Sequence, residues 1–557
     1  MDDKGILRRL VAVFILFACI TDKTAVSKDV QDYSPKIYTA MVNASTVVRK
    51  LDHFWRSTGF CPPDPHQDFN KFMATNDMAQ NIIYIGSTPN QGIEQVRIHF
   101  LLDLVSMQEG GDGALVISFT YLDKAMALLL SNGLRPGFEL MGNPSNYFTD
   151  FDDKKQIYDW RELIRSLGIH LIERYGLEEV SKWNFESWNE PFGRISFVGL
   201  KVSLQGYLNY YDACSEGLLI ANPALRLGGP ASGNPLKHQR SSAIFYHCYD
   251  GVNFFTGKKG VRLDFISFHI KGKGLSTNIL ESETVVLNQV ERTFPKFAGI
   301  PVYNDEADPL VGWHKAEDWR ADARYAAMVV KVIAQHQNIL IPKKQMYSLL
   351  SNDNGFMNYP PSYFSQRTLL ARFQMNTSHP RKVEFIKKPV LSVMGLLAMM
   401  GDQQVFAETR YLHDNHISVN DDLGIMASIV SGASNDWELA ALMYNSDDTS
   451  NRTGMSVVNV NVIGIPVAKD ILYVIYQIDN YHGNPYEIWR KMKSPVFPTE
   501  DQFHKLRSHQ DPVRTVGPLS LPPDVDYGIV SFKLQIPLPG VALLHLCSKP
   551  LTPPQKV

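Results

Sequence analysis

Two glutamates each follow a short apolar run and have an amide or carboxyl neighbour. Glu190 comes after Asn189 in WNFESWNEP, and Glu306 comes after Asp305 in VYNDEADPL. Retaining glycoside hydrolysis needs two carboxyl groups about 5–5.5 Å apart: one protonates the leaving oxygen, and the other attacks the anomeric carbon. Glu186 is a weaker candidate because it is expected to lie deeper in the same run as Glu190. The sequence therefore predicts Glu190 and Glu306 as a catalytic pair.

Several other apolar runs also end in polar side chains, including His99, His269, Lys271 and Asp353. For a single strand-end glutamate, ion pairing or capping is the alternative role, and for the histidines it is a hydrogen-bonded place in the core. Because several such residues lie at the ends of runs, a role in an active site is favoured over these structural roles. The sequence has no HExxH string and no paired Cys or His spacing, so it predicts neither a metal site nor a cofactor.

The elements that must position these side chains alternate between β-type runs and helical patterns from residue 50 to 395. The centres of eight runs recur about every 40 residues, the length of a strand, a helix and two loops. The predicted fold class is therefore α/β, a (β/α)₈ TIM barrel, in which catalytic groups lie at the carboxyl ends of the strands. The runs are 52–57, 95–100, 137–141, 182–190, 225–229, 263–271, 300–306 and 346–353.

Three of the intervening segments have clear helical periodicity. Apolar residues of Lys155–Tyr175 fall on one helical face. The segment Asp318–Asn338 has Asp318 as its expected N-cap, and Pro389–Met400 opens with proline in its first turn. We expect these segments to belong to the outer ring of the barrel.

From residue 396 to 548 the hydrophobic period changes to two, which predicts an antiparallel β-sandwich domain. The β-type segment 30–49 is expected to join it, and 549–557 reads as a tail.

The N-terminal residues and the composition bear on compartment and partners. Residues 1–27 have basic residues before a short apolar run, which predicts a signal peptide; an uncleaved anchor is the alternative. No membrane anchor is expected after its removal. Sequons at Asn43, Asn376 and Asn451 are predicted glycosylation sites if the chain is exported. Lys and Arg number 55 against 57 Asp and Glu, so no nucleic-acid partner is expected. Oligomeric state stays open.

Several longer strings resemble those of the α-L-iduronidase family, lysosomal retaining glycosidases related to the β-xylosidases. The resemblance extends from about residue 50 to 547 and includes both glutamate strings. The other similar strings are LNYYDACSEGL (208–218), NFFTG (253–257), AAMVVKVIAQHQN (326–338), LLSNDN (349–354) and KPVL (388–391).

The resemblance implies a lysosomal exoglycosidase that removes terminal α-L-iduronic acid from two glycosaminoglycans, dermatan sulfate and heparan sulfate. Carried onto matching positions, Glu190 would be the acid/base and Glu306 the nucleophile. The implied substrate-binding residues are His99, Asn189, Lys271, Gly312, Asp353 and Arg367, with His66 and His269 nearby in less defined roles.

The carboxylate of a uronic acid gives part of this assignment a physical basis. A site selective for it needs fixed cations, which Lys271 and Arg367 supply and which a xyloside site does not require. The alternatives are a solvated rim lysine and an arginine that braces a helix. Trp313 is either a sugar-stacking platform or part of the core.

Two departures from the family pattern keep other functions open. After WNEP the family has a His- and Asp-rich loop, whereas 192–200 is apolar and basic here. The family's C-terminal fibronectin-type module is expected to be absent, and with it the cysteine that pairs with the position of Cys547, which is therefore expected to be a free thiol. A β-xylosidase-like hydrolase and a catalytically impaired glycan-binding protein remain the alternatives.

Overall fold

The computed structural model describes residues 35–548, except 64–67, 192–196, 198, 238, 376–381, 412–421, 431–436, 449–451, 467–469 and 522–527. The predicted signal peptide, the tail, His66, Asn376, Asn451 and most of the 192–200 loop lie outside the described residues.

Eight short strands form one parallel sheet that closes as a barrel. A parallel bridge between Thr58 and Asn352 brings the first and eighth strands together. The predicted (β/α)₈ barrel is confirmed. In chain order the barrel strands are Ser57–Phe60, Gln95–Ile98, Arg135–Glu139, Asn184–Glu186, Arg226–Ser232, Phe265–Phe268, Val302–Asn304 and Tyr347–Leu350.

The strands are mostly shorter than the predicted runs, and the first begins where its predicted run ends, at Ser57. The fourth strand ends at Glu186, so Glu190 lies in the loop that follows it and not in the strand. The alternation of side chains along a strand therefore does not extend from Glu186 to Glu190, and it cannot place the two side chains on the same face. The run of apolar and aromatic residues is continuous there, which hides the point at which the backbone leaves the ladder.

Helices surround the barrel as expected. The helix Lys154–Tyr175 begins after Asp153, whose side chain accepts a hydrogen bond from Gln156 N, and Pro389–Leu397 has its proline in the first turn. The prediction of Asp318 as an N-cap is wrong: it opens a short 3₁₀ turn, and Asp322 caps the helix Ala323–Gln335. The other helices before residue 400 are Phe69–Met73, Asn76–Gly86, Thr120–Leu130, Leu177–Val180, Leu204–Ala221, Gln239–Asp250, Ser276–Thr293 and the π-helix His336–Leu340.

Nine further strands form one continuous sheet with its own apolar core. The rings of Tyr473 and Phe532 lie 5.0 Å apart although their strands are near opposite ends of the sheet, so the sheet curls over itself like a sandwich. The strands are Lys36–Lys50, Gln403–Tyr411, Leu423–Ile429, Glu438–Asn445, Gly454–Ile463, Ile471–Asp479, Val513–Ser520, Ile529–Leu538 and Gly540–Ser548.

One pair in this sheet departs from the antiparallel prediction. Lys36–Lys50 joins the sheet as expected, antiparallel to Gln403–Tyr411, but it runs parallel to Gly454–Ile463. The two partners of the parallel pair are far apart in sequence, so alternation alone could not reveal their direction.

A third apolar cluster joins elements that the sequence did not predict. A hairpin of Leu370–Met375 and Lys382–Lys387 packs against the helices Pro485–Lys491 and Glu500–Arg507. A second hairpin, Ser106–Glu109 with Leu115–Ser118, follows the second barrel strand.

None of the helices in the described part of the chain is both long enough and apolar enough to cross a bilayer. Within the described part of the chain, Cys214, Cys248 and Cys547 form no disulfide, and the free thiol expected at Cys547 stays a prediction.

Candidate active site

A cavity of about 710 Å³ opens at the carboxyl ends of the barrel strands. It gathers most of the predicted site residues from loops after the second, fourth, sixth, seventh and eighth strands. His269 is buried next to the cavity without lining it, and His66 lies outside the described residues. The predicted residues that line the cavity are His99, Asn189, Glu190, Lys271, Glu306, Gly312, Asp353 and Arg367.

The two predicted catalytic carboxylates face each other across this cavity. Carboxylate oxygens of Glu190 and Glu306, together with a ring nitrogen of His269, lie within 4.8 Å of one another. This separation matches retaining glycosidases and is shorter than the 6.5–9.5 Å of inverting ones. The Glu190 side chain is 47% exposed and that of Glu306 is 5% exposed, so only the former is open to solvent.

Glu190 adopts a left-handed backbone conformation, with φ 40°, which is unusual for a residue other than glycine. Its amide nitrogen donates to Ala231 O at 2.8 Å, and Ala231 itself has φ 50°. The loop after the fourth strand and the end of the fifth strand thus hold each other in strained conformations that direct the acidic side chain over the cavity.

Four cationic or potentially cationic groups surround Glu306. Arg97 Nη1 lies 3.1 Å from Glu306 Oε1, and Lys271 Nζ forms an ion pair with Oε2. His269 Nδ1 and His99 Nε2 are 3.6 and 3.8 Å from Oε1. Burial raises the pKa of Glu306, but these neighbours outweigh it and hold the pKa well below its usual range. Glu306 is therefore ionised, as a nucleophile must be.

Glu190 has a different environment. His269 Nδ1 donates to Glu190 Oε1 at 2.9 Å, and this hydrogen bond, opposed by burial and by the nearby charge of Glu306, lowers the pKa of Glu190. Lys271 Nζ lies 4.0 Å from the same oxygen. The protonation of Glu190 therefore depends on both His269 and the charge state of Glu306.

Arg97 lies at the centre of the site and is not among the residues predicted from the sequence. Its guanidinium is 3% exposed and pairs with Glu139 at 2.7 Å and Glu186 at 2.7 Å, as well as with Glu306. It also donates to Asn189 Oδ1 at 3.1 Å, which orients the residue before Glu190. Alternation in QVRIHF places Arg97 on the same strand face as His99, and this parity could have revealed it.

Arg367 is held between two carboxylates. Its Nη1 lies 2.9 Å from Asp308 Oδ2, and its Nη2 lies 3.0 Å from Asp353 Oδ2. Burial raises the pKa of Asp308 to about 6, against the opposing effect of Arg367. Arg367 is therefore not a helix brace; its guanidinium faces the cavity with a charge that Asp308 partly compensates.

Two buried side chains position the loops that form the cavity. Asn304 Nδ2 donates to Ile270 O at 2.9 Å and its Oδ1 accepts from Ile270 N at 3.2 Å, which ties the segment holding His269 and Lys271 to the seventh strand. Arg320 donates to four backbone carbonyls of the loop 310–315.

The aromatic wall of the cavity includes Trp313, whose ring stacks on Phe356 with centroids 4.4 Å apart and planes 4° apart. Trp313 thus lines the cavity rather than the core.

Among the described residues, two triplets could hold a metal ion: His99 with Glu306 and Asp353, and Glu190 with His269 and Glu306. Both contain Glu306, whose carboxylate is already ion-paired with Arg97 and Lys271. The arrangement suits acid–base and nucleophilic chemistry better than metal coordination.

Comparisons with known proteins agree with this geometry. The chain matches the description "Glycosyl hydrolases family 39" over residues 38–523. It is 47% identical over 532 residues to α-L-iduronidase of Mus musculus, covering 93% of this chain and 82% of that protein. For α-L-iduronidase of Homo sapiens the identity is 47% over 524 residues, with 93% and 79% covered. A solved bacterial orthologue of the human enzyme superposes with a TM-score of 0.82 at 30% identity, covering 94% of this chain and 85% of its own. The chain is a glycoside hydrolase and belongs to glycosyl hydrolases family 39.

Proposed function

We propose that this enzyme is a retaining exoglycosidase that hydrolyses terminal α-L-iduronosidic linkages in dermatan sulfate and heparan sulfate. The observation that supports it most directly is the close approach of Glu190 and Glu306 in a cavity that also contains Lys271 and Arg367. The relatives named α-L-iduronidase support the same substrate.

In the first step, ionised Glu306 attacks the anomeric carbon while Glu190 donates its proton to the glycosidic oxygen, which leaves with the rest of the chain. A glycosyl ester forms at Glu306. The acid role requires protonated Glu190. Because the hydrogen bond from His269 lowers the pKa of Glu190, this form is populated only at acidic pH, which fits a reaction under acidic conditions.

In the second step, Glu190 takes a proton from water, and the water oxygen displaces Glu306 from the anomeric carbon. Ester formation has by then removed the negative charge of Glu306, which in the free enzyme raises the pKa of Glu190. The pKa of Glu190 therefore falls in the intermediate, as its change from acid to base requires.

Lys271 and Arg367 are the proposed partners of the uronate carboxylate, and Asp353 accepts hydrogen bonds from sugar hydroxyls. Both cations already face protein carboxylates, and for Arg367 the compensation of its charge depends on pH. Protonation of Asp308, whose pKa is raised by burial to about 6, leaves Arg367 with Asp353 as its only paired carboxylate. Acidic pH thus strengthens the attraction for a uronate.

A matched pair of fluorogenic substrates tests the proposal. We expect turnover of an α-L-iduronide at acidic pH with retention of configuration, and little turnover of a β-xyloside. Preference for the xyloside would favour a xylosidase, and glycan affinity without turnover would favour a binding protein.

We further propose export to the lysosome and N-glycosylation at Asn43, Asn376 and Asn451. Asn43 lies half-buried in the first sheet strand, and its Oδ1 accepts hydrogen bonds from Ser45 N at 3.1 Å and Ser45 Oγ at 2.7 Å. Enzymatic deglycosylation of secreted protein, followed by peptide mass mapping, tests each site.

A further inference from the structure

Residues 312–315 form part of the cavity rim, called the lip below. They include two neighbouring basic side chains that have no role in the proposed mechanism. His314 lines the cavity, and His314 and Lys315 are both exposed. No carboxylate oxygen of a described residue lies within 4.0 Å of a side-chain nitrogen of either. The buried cations differ: Lys271 and Arg367 in the cavity wall, and Arg97 beside Glu306, all have carboxylate partners.

The backbone beneath the two side chains is held from below. Buried Arg320 donates from Nη1 to Gly312 O at 2.7 Å and to Lys315 O at 2.9 Å. Gln366 Nε2 donates to His314 O at 3.0 Å. The backbone carbonyls of Gly312, His314 and Lys315 are therefore anchored to buried side chains, which lowers the entropy cost of binding a ligand there.

The stem of Lys315 packs over Gly312. A Cβ atom on Gly312 would lie 3.1 Å from Lys315 Cδ, so glycine leaves just enough room for the lysine to cross the lip. Trp313, which follows Gly312 in the chain, stacks on Phe356 and provides an apolar wall beside the basic side chains of His314 and Lys315. An aromatic ring beside a positive charge suits a subsite for a sugar that has an anionic substituent.

We infer that His314 and Lys315 form a subsite for a sulfate ester on the sugar that follows the cleaved bond. This inference rests on the proposed function. An exoglycosidase binds the terminal sugar at the closed end of the cavity, beside buried Glu306. The remainder of the glycan must therefore extend through the mouth of the cavity, past this lip. The whole protein has a net charge of −2, so attraction for a sulfated chain must come from local cations.

Two iduronosyl disaccharides that differ only by one sulfate on the second sugar test the inference. For the double variant His314→Ala/Lys315→Ala, the preference for the sulfated disaccharide, as a ratio of kcat/KM values, is expected to fall by about 10-fold, mainly through KM. The charge-retaining variant His314→Lys/Lys315→Arg should keep the preference.

Lys258→Ala is the matched control, because Lys258 is exposed in the loop before the sixth strand, at the opposite end of the barrel. It should leave the ratio unchanged. The dependence of kcat/KM on salt should also weaken for the sulfated substrate in the alanine variant.

An unchanged ratio in the alanine variant would overturn the subsite while leaving the proposed function standing. Wild-type protein that hydrolyses neither disaccharide would count against the proposed function, and the subsite would fall with it.

Discussion

The mouth of the barrel and the curled sheet are both well buried, but they bury different chemistry. Around Arg97 the barrel encloses Glu139, Glu186 and Glu306, whereas the interior of the sheet is made of side chains such as Val460 and Leu544. Buried ion clusters add little net stability, because desolvation offsets attraction. Buried apolar side chains stabilise the fold directly. The contrast indicates that activity depends on the first region and stability mainly on the second.

Removing either of the two carboxylates proposed as catalytic should have the largest effect. We expect Glu306→Gln and Glu190→Gln to lower kcat on a natural substrate by about 10⁴-fold or more, because each takes part in bond making or breaking. Steady-state and burst kinetics measure the loss. A fluorinated iduronide should label Glu306 in the wild type.

The two variants should differ with an activated leaving group and added azide. Glu190→Gln should recover turnover, because such a leaving group needs no proton and azide needs no base, whereas Glu306→Gln should not. Recovery by Glu306→Gln, or a product with inverted configuration, would refute the assignment.

Truncating the sheet core should affect stability and not chemistry. Leu544 is fully buried, so Leu544→Ala should lower the free energy of unfolding by about 2–5 kcal/mol. Denaturant titration measures this change, and kcat at low temperature should stay within about twofold of the wild type. A large loss of kcat in folded protein would show that the two regions are not separable in this way.

The region near the barrel mouth should lose stability as pH rises. Burial raises the pKa of Asp103 to about 6, against a hydrogen bond from Asn143 N. Because the folded-state pKa exceeds the unfolded value, the stabilising contribution is present below about pH 4 and is lost as pH rises through 6. Asp103→Asn should remove on the order of 2 kcal/mol of this dependence.

Denaturant titrations of the wild type and Asp103→Asn at pH 4, 5, 6 and 7 check the expectation. Asp318→Asn, at an exposed position, is the control. Parallel stability curves for wild type and Asp103→Asn would contradict it.

The smallest expected effect concerns substrate affinity. Ionisation of Asp308 above about pH 6 compensates the charge of Arg367, so KM for an iduronide should rise between pH 5 and pH 7. Asp308→Asn should reduce this rise by about 3- to 10-fold, because the amide stays neutral throughout. Initial-rate measurements across that range test it, and a rise identical to that of the wild type would exclude Asp308 as its source.

The barrel could be predicted from its regular spacing, and the presence of Glu190 and Glu306 at its mouth from their places after apolar runs. Arg97 and Glu139 were missed because they lie inside mostly apolar strands. Their burial is compensated by their mutual ion pair and by further pairs of Arg97 with Glu186 and Glu306, which the sequence does not reveal. The N-cap was predicted at Asp318 instead of Asp322 because both are aspartates, four residues apart, with the same preference for the N-cap position. Helices 485–491 and 500–507 interrupt a period-two region, and their stability depends on the distant hairpin that they contact.

The left-handed backbone at Glu190 also matters for protein engineering. A residue other than glycine in this region costs about 1–2 kcal/mol, so a glycine at this position would relieve strain while removing the acidic group. Selection for thermal resistance alone would therefore favour replacement of the residue that we propose as the catalytic acid/base. Screens for stabilised forms of this enzyme need a turnover assay at every round, and positions 190 and 231 are the first that should be held fixed.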